Sequence, residues 1–208
     1  MNVELALWPH DLVWGMPVSA LPDDAPSWVV EAVELGHPVV VRRALAPDGQ
    51  IAVGVRGPRR EQRYATFMAL ADVQRCIKPE QLTAVIGQND WPALQALVQV
   101  GPMMDALGLI WGVSGSAGFE LASGVAALHA GSDLDLIVRT PDFFSRGMAA
   151  ELVQKLEGAV CRIDLQLQAP SGAVALREWA GASRQVLLKR ASGAELVAQP
   201  WQWEEVRA

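Results

Sequence analysis

The spacing of apolar residues in the first part of the chain changes between helical and strand-like periods. A helical period ends at Gly36, and a run of β-branched residues follows it. A turn signal at 46–49 separates this run from a second one, so the two runs are predicted to pair as a hairpin. The predicted elements are a helix over 25–35, strands over 37–44, 51–55 and 73–77, and a helix that begins at Pro79.

The rest of the chain alternates long helical segments with short apolar strands. A helix is predicted over 91–107, with Leu94, Leu97, Val98 and Met104 facing the core. After it we expect one strand that begins near Leu109 and three further strands within 132–138, 160–167 and 184–189. We also expect one helix that begins near Ala117 and two further helices over 143–156 and 174–179. This order predicts an α+β protein with a small N-terminal α+β domain (1–87) and a C-terminal domain (88–208) whose mixed sheet is flanked by helices.

The segment 132–138 is the most informative part of this pattern. Asp133 and Asp135 are separated by one residue and surrounded by apolar positions. In a strand, residues i and i+2 point to the same side, so the two carboxylates are expected side by side on one face. Two close carboxylates repel each other unless a cation lies between them, and a divalent ion that prefers oxygen ligands fits that need. The alternative is a solvated strand face with acids at alternating positions.

Two neighbouring segments support the interpretation as a functional site. Gly115 and Ser116 follow a short apolar strand and precede a helix, a turn that presents backbone N–H groups and a hydroxyl to a phosphate. Asp164 lies within a later alternating strand, one helical segment after Asp135. Strands joined in this way become neighbours, so Asp164 is predicted to approach the same ions.

Together these motifs resemble the nucleotidyltransferase superfamily that includes polymerase beta. The family pattern is Gly-Gly or Gly-Ser, a spacer, Asp-x-Asp and a later third acid, which correspond here to Gly115, Ser116, Asp133, Asp135 and Asp164. The spacer of residues 117–132 is longer than in most members of the superfamily. The resemblance implies two Mg²⁺ ions held by the three aspartates, which would also be the catalytic residues.

The whole chain is similar to the phosphoribosyl-dephospho-CoA transferases of malonate decarboxylase, also called its holo-acyl-carrier-protein synthases. The similarity rests on the segments 9–12, 38–43, 53–57 with its following arginines, and 115–121 through Asp135. It implies transfer of a phosphoribosyl-dephospho-CoA group from triphosphoribosyl-dephospho-CoA to a serine of the acyl-carrier subunit, with release of pyrophosphate. It leaves open whether Asp164 or His10 acts as the general base.

The distribution of charge adds a candidate phosphate-binding surface. The 208-residue chain has a net charge of −6, but seven arginines and only three acids lie between residues 37 and 75. Arginine binds phosphate through planar, bidentate contacts. We therefore expect the substrate-binding residues to include, besides Gly115 and Ser116, four of these arginines: Arg42, Arg56, Arg60 and Arg63. The same arginines could instead dock an acidic carrier protein or pair with the acidic remainder of the chain.

Composition narrows the remaining possibilities. The acidic net charge argues against general nucleic-acid binding, and the sequence shows neither a signal-peptide pattern nor a long apolar run, so a cytoplasmic protein without membrane contact is expected.

Two histidines each allow two interpretations. His10 could act as an acid or base or, with Asp11, form a helix N-cap with a locally bonded ring. His129 could approach the leaving group or occupy a turn. Alternative functions are a nucleotidyltransferase that uses ATP on a protein or small molecule, and a non-catalytic nucleotide-binding regulatory domain.

Overall fold

The computed structural model describes residues 6–84 and 89–202, which form an α+β protein with two β-sheets, as predicted. The strands are β1 Leu12–Trp14, β2 Val39–Val41, β3 Gln50–Arg56, β4 Arg63–Ala69, β5 Arg75–Ile77, β6 Trp111–Val113, β7 Leu134–Arg139, β8 Ile163–Ala169, β9 Gly172–Ala175, β10 Val186–Arg190 and β11 Gly193–Val197. The α-helices are α1 Ser27–Glu34, α2 Pro92–Asp105, α3 Gly115–Ser123, α4 Arg146–Leu156 and α5 Leu176–Ala180. Short 3₁₀ turns lie at Val18–Ala20, Leu70–Asp72 and Pro79–Leu82.

The N-terminal sheet is antiparallel throughout, with strand order β4-β3-β2-β1-β5. Helix α1 covers one of its faces, where Val29 and Val33 pack against Val53 and Val55 of β3. Because side chains alternate along a strand, Gly54 and Arg56 point to the opposite face.

The C-terminal sheet has the order β11-β10-β9-β8-β7-β6, and β7 and β8 are its parallel pair. Leu134 and Leu136 of β7 and Leu165 of β8 lie on the face that packs against the helices, within one large apolar cluster that also includes Trp179. The carboxylates of Asp135 and Asp164 therefore lie on the other face, because they alternate with these leucines. The helix that connects the parallel pair is α4, as the sequence predicted.

The Arg56 face of the N-terminal sheet and the aspartate face of the C-terminal sheet turn toward each other. Arg56 of β3 donates a hydrogen bond to the Ser116 hydroxyl at 2.8 Å, and Arg43 donates one to the side-chain carbonyl of Gln168 on β8. The polar face of each sheet thus forms one wall of a shared cleft.

Helix α2 shows one error in the predicted core positions. Leu94, Leu97 and Met104 are buried as expected, but Val98 is 77% exposed. The helix buries Ala93 and Ala96 instead. Small alanines let a helix approach its neighbours closely, and they are weaker hydrophobic signals than a valine in a sequence pattern.

Four strands of the structure were not predicted from the sequence: β1, β4, β9 and β11. Strands β4 and β11 are the edges of their sheets, so each is open on one side and its apolar alternation is weak. Strand β9 occupies the start of the segment predicted as a helix over 174–179, where the helix begins only at Leu176.

The expected domain boundary near residue 87 lies outside the described residues. Among the helices of the described residues, none is both long and apolar enough to cross a lipid bilayer.

Candidate active site

Three carboxylates meet at the start of the parallel strand pair in the C-terminal sheet. Asp135 of β7 is in register with Asp164 of β8, so the two side chains stand on adjacent strands of the same face. Asp133 immediately precedes β7, two residues before Asp135. The structure thus brings together the three acids that the sequence singled out, because the two strands are neighbours, as predicted, and pair in parallel.

The Gly-Ser turn lies directly against these acids. The Ser114 amide donates to the Asp135 carbonyl at 2.9 Å, and Gly115 has a positive φ of 60°. A Cβ atom at Gly115 would lie 1.9 Å from an Asp135 carboxylate oxygen. Glycine is therefore required here both for the backbone conformation and for the close approach of the carboxylate.

Helix α3 begins at Gly115, two residues before the expected start near Ala117. Its first intrahelical bond runs from the Gly118 amide to the Ser114 carbonyl, and no side chain caps the N-terminus. The amides of residues 115–117 precede that bond, so they have no acceptor within the helix. This end of α3 is suited to a phosphate group because free N–H groups and the helix dipole act together.

Arg56 connects the two walls of the cleft at this point. One of its terminal nitrogens contacts the Ser116 hydroxyl at 2.8 Å and the Ala127 carbonyl at 3.0 Å, and its guanidinium lies over the Phe119 ring. Burial, followed by the charge of Arg63, lowers the pKa of Arg56 to about 10, so it remains a cation at neutral pH. Ser116 therefore already accepts a hydrogen bond from the arginine wall.

The long spacer between Ser116 and Asp133 is accommodated by α3 and a loop that folds back onto it. The Glu120 carboxylate of α3 accepts hydrogen bonds from the amides of Ala127 and Leu128, both at 2.8 Å. His129 lies in a turn, where its ring accepts a bond from the Gly131 amide and its own amide donates to the Ser132 hydroxyl. The turn role considered for His129 is thus the one observed.

A cavity of about 540 Å³ between the two sheets contains every predicted site residue. Its lining includes Asp133, Asp135, Asp164, Gly115, Ser116, Arg42, Arg56, Arg60 and Arg63, together with His10 and His129. The acids lie on the C-terminal wall and the arginines on the N-terminal wall and its β3–β4 loop. The cavity therefore places negative groups opposite positive ones, an arrangement that suits a polyphosphate bound with cations.

The electrostatics of the carboxylates favour a bound cation. Burial raises the pKa of Asp135 to about 6, and the nearby charges of Asp164 and Asp133 add to the shift. Arg162 offsets part of this charge, because it forms an exposed ion pair with Asp164 at 2.8 Å.

The carboxylates fit Mg²⁺ by their chemistry, but they do not form a closed three-ligand site. Within residues 6–84 and 89–202, no group of three His, Cys, Asp or Glu side chains is arranged to hold a metal ion. Magnesium commonly binds through one or two carboxylates plus substrate phosphates, so a complete protein cage is not needed. Asp133 and Asp135 would supply such carboxylates, and Asp164 would join them by exchanging its contact with Arg162.

His10 occupies a strained backbone position in the cavity wall. It has a φ of 79°, which is uncommon for a residue other than glycine. The Asp11 carboxylate accepts a bond from the Trp8 amide at 2.9 Å, and strand β1 rather than a helix follows, so the expected N-cap is wrong. Among the described residues the ring has no hydrogen bond to a neighbour in the sequence, and Gln166 of the other sheet lies near it.

Three polar residues near the carboxylates were not among the predicted site residues: Gln166, Gln168 and Arg43. Gln166 and Gln168 follow Asp164 at i+2 and i+4 on β8, so strand alternation places all three on one face. That alternation was visible in the sequence, whereas the contact of Gln168 with Arg43 depends on how the sheets meet.

Comparisons with known proteins identify the family of the chain. Residues 8–79 match the profile of the N-terminal domain of phosphoribosyl-dephospho-CoA transferase MdcG, and residues 81–200 match that of its C-terminal domain. Proteins described as phosphoribosyl-dephospho-CoA transferases are 62% identical in Pseudomonas syringae pv. tomato, 52% in Pseudomonas aeruginosa and 51% in Azotobacter vinelandii. The first two alignments cover 96% of each chain, and the third covers 93%. No solved structure matches the chain significantly.

The chain is thus a transferase enzyme. The chain belongs to the phosphoribosyl-dephospho-CoA transferase family of the MdcG type.

Proposed function

We propose that the protein transfers phosphoribosyl-dephospho-CoA from triphosphoribosyl-dephospho-CoA to a serine of the malonate decarboxylase acyl-carrier protein, as a nucleotidyltransferase that releases pyrophosphate in the cytoplasm. The observation that carries the proposal is the shared cavity, in which in-register carboxylates face a Gly-Ser turn and a wall of arginines. A catalytic unit of residues 88–208 and an N-terminal unit of residues 1–87 belong to the same proposal, which the separate matches at 8–79 and 81–200 support.

In this reaction, Asp133, Asp135 and Asp164 would hold two Mg²⁺ ions, which neutralise the triphosphate and the leaving pyrophosphate. The free amides at the start of α3 and the Ser116 hydroxyl would hold the outer phosphates, and Arg56 would orient that hydroxyl. Arg42, Arg60 and Arg63 would bind the remaining phosphate oxygens from the opposite wall.

The acceptor serine attacks the α-phosphorus from the side opposite the pyrophosphate, so a new phosphoester bond forms as the phosphoanhydride bond breaks. The serine proton would pass to Asp164, which is exposed on the face that a carrier protein can approach. His10 is less suited to accept this proton, because burial, followed by three nearby cations, lowers its pKa to about 4.

Mass spectrometry of the carrier protein tests the proposal directly. The carrier is incubated with enzyme, Mg²⁺ and triphosphoribosyl-dephospho-CoA, and its mass is expected to rise by one phosphoribosyl-dephospho-CoA group. The modified peptide should contain the serine acceptor. A carrier with a Ser→Ala acceptor is the matched control and should remain unmodified. An unchanged wild-type carrier would contradict the proposal, and addition of AMP from ATP alone would favour the alternative nucleotidyltransferase activity.

A further inference from the structure

The polar face of the C-terminal sheet has a second charged end beyond the aspartates. Pairing register places Asp135 beside Asp164 in one cross-strand row. Farther along the sheet, a row on the same face contains Arg139, Gln168, Ala173 and Lys189. The two rows are four residues apart on β7 and β8, which corresponds to about 13 Å at the usual rise of a strand.

The N-terminal sheet adds a cation to this second end. Arg43 follows β2 and donates a hydrogen bond to Gln168 across the cleft. Gln168 is only 8% exposed, and its side-chain nitrogen is buried without a hydrogen-bond partner. Buried polar atoms in native proteins usually have a partner, so this nitrogen is a free donor beside Arg43.

The cations of this region lack a balancing anion. Arg139 pairs with Glu80 at 2.6 Å, but no described carboxylate lies within 4.0 Å of Arg43 or Lys189. Burial, followed by the charge of Arg139, lowers the pKa of Arg43. The same three cations help to keep His10 neutral. A partly buried guanidinium that faces other cations is favourable only if an anion compensates for it.

The second end lies beside the cavity. His10 lines the same cavity as the three aspartates, and Arg43, Arg139 and Lys189 lie near enough to His10 to lower its pKa. The intervening N-terminal wall is apolar and contains small residues: Leu12, Val40, Gly54 and Ala65. Such a wall suits pentose and base rings rather than phosphate.

We propose that Arg43, Gln168 and Lys189 form a diphosphate subsite, which binds the diphosphate bridge of the dephospho-CoA portion of the donor. The inference rests on the proposed function, because that donor carries two anionic groups separated by two linked pentoses. The aspartate end takes the triphosphate, and this distal end takes the diphosphate. The adenosine and pentose rings then lie along the apolar wall, so the donor is bound in one orientation with its α-phosphorus at the carboxylates.

Titration calorimetry with dephospho-CoA and no Mg²⁺ measures this subsite separately from catalysis. Lys189→Gln removes an exposed charge without disturbing the core, and Arg43→Gln removes a charge but keeps a polar side chain with a hydrogen-bond donor. Each variant is expected to weaken dephospho-CoA binding about tenfold or more, the effect of losing a hydrogen bond from a charged group. Arg190→Gln is the matched control. Arg190 follows Lys189 in β10, so its side chain points to the other face of the sheet, and it pairs with Glu195.

A second pair of measurements distinguishes the diphosphate subsite from the aspartate site. Asp135→Asn should change dephospho-CoA affinity by less than about threefold, since it lies about 13 Å away along the sheet and salt screens such distances. Lys189→Arg should restore most of the affinity that Lys189→Gln loses. A purely structural role for the cluster predicts no effect of Lys189→Gln.

The outcomes separate this inference from the proposed function. Unchanged affinity in Lys189→Gln, or no binding of dephospho-CoA to the wild-type protein, would overturn the diphosphate subsite even if the carrier is modified. Binding that depends on Arg43 and Lys189 would support the subsite even if no group reaches the carrier.

Discussion

The two walls of the cavity carry opposite charges and are built in different ways. On the C-terminal wall, Asp133 and Asp135 come from one short segment, and Asp164 enters through a regular parallel pairing. On the N-terminal wall, the cavity arginines come from the end of β2, from β3 and β4 and from their connecting loop. The acidic wall is thus set by strand periodicity, and the basic wall by the folding of several segments onto one surface.

This difference has a chemical consequence. The carboxylates are fixed by the backbone of a sheet interior, which suits groups that must hold ions in a defined geometry. Most of the arginines lie at strand ends or in a loop, and Arg60 and Arg63 are exposed. We therefore expect large, specific losses from changes on the acidic wall and smaller, graded losses from changes on the basic wall.

The largest expected effect is on the acidic wall. Asp135→Ala should lower the turnover of carrier modification by at least about 100-fold, because electrostatic stabilisation of the reacting phosphates is lost. Asp142→Ala, which changes an exposed acid in the loop after β7, should retain near-wild-type turnover. Steady-state kinetics with a thermal-unfolding check would measure both. Near-native turnover in folded Asp135→Ala would show that the carboxylates do not take part in the mechanism.

The next test concerns the contact between the Gly-Ser turn and the acidic wall. Gly115 and Gly124 both have positive φ, but only at Gly115 would an added Cβ collide with another group, the Asp135 carboxylate. Gly115→Ala should lower the free energy of unfolding by about 2 kcal/mol or more, and Gly124→Ala by about 1 kcal/mol, the cost of the left-handed conformation alone. Urea unfolding would measure both. Equal losses would show that the turn does not depend on its closeness to Asp135.

A pH series tests how the walls meet at His10. Its pKa of about 4 lies below the usual 6.5, so between these values the unfolded chain binds more protons than the folded one. The resulting stability is complete above pH 6.5 and is lost as the pH falls toward 4. Between pH 7 and pH 5 this contribution should fall by between about 1 and 2 kcal/mol.

His10→Asn should flatten that part of the stability profile, because asparagine tolerates a positive φ but does not titrate. Urea unfolding at several pH values would measure the difference from the wild type. Parallel profiles for the two proteins would show that the ring is protonated normally in the fold, despite Arg43, Arg139, Lys189 and Gln166 around it.

The smallest expected effect is on the basic wall. Arg60 lines the cavity, whereas the adjacent Arg59 does not. Arg60→Ala should raise the KM for the donor by several-fold, since a single exposed cation contributes little in a solvated site. Arg59→Ala is the matched control and should leave KM unchanged. Equal effects of the two changes would indicate that the loop acts through its overall charge, as in docking of an acidic carrier.

Much of the site could be predicted from the sequence because its acidic half follows short-range rules. The D-x-D spacing, the Gly-Ser turn before a helix and the connection through α4 all act within a few residues or one crossover. Val98 and the missed edge strands show where local patterns fail. Burial of a helix face or pairing of an edge strand depends on what packs against it from elsewhere in the chain.

The sequence alone determined the α+β class, the position of the acids on one face of the sheet and the glycine beside them, because backbone geometry links neighbouring residues rigidly. Only the tertiary structure decided that Arg56 bonds to Ser116, that Arg43 reaches Gln168 and that His10 lies near Gln166. These contacts join residues that are distant in sequence. They form only when the two sheets pack face to face, so no local pattern could encode them.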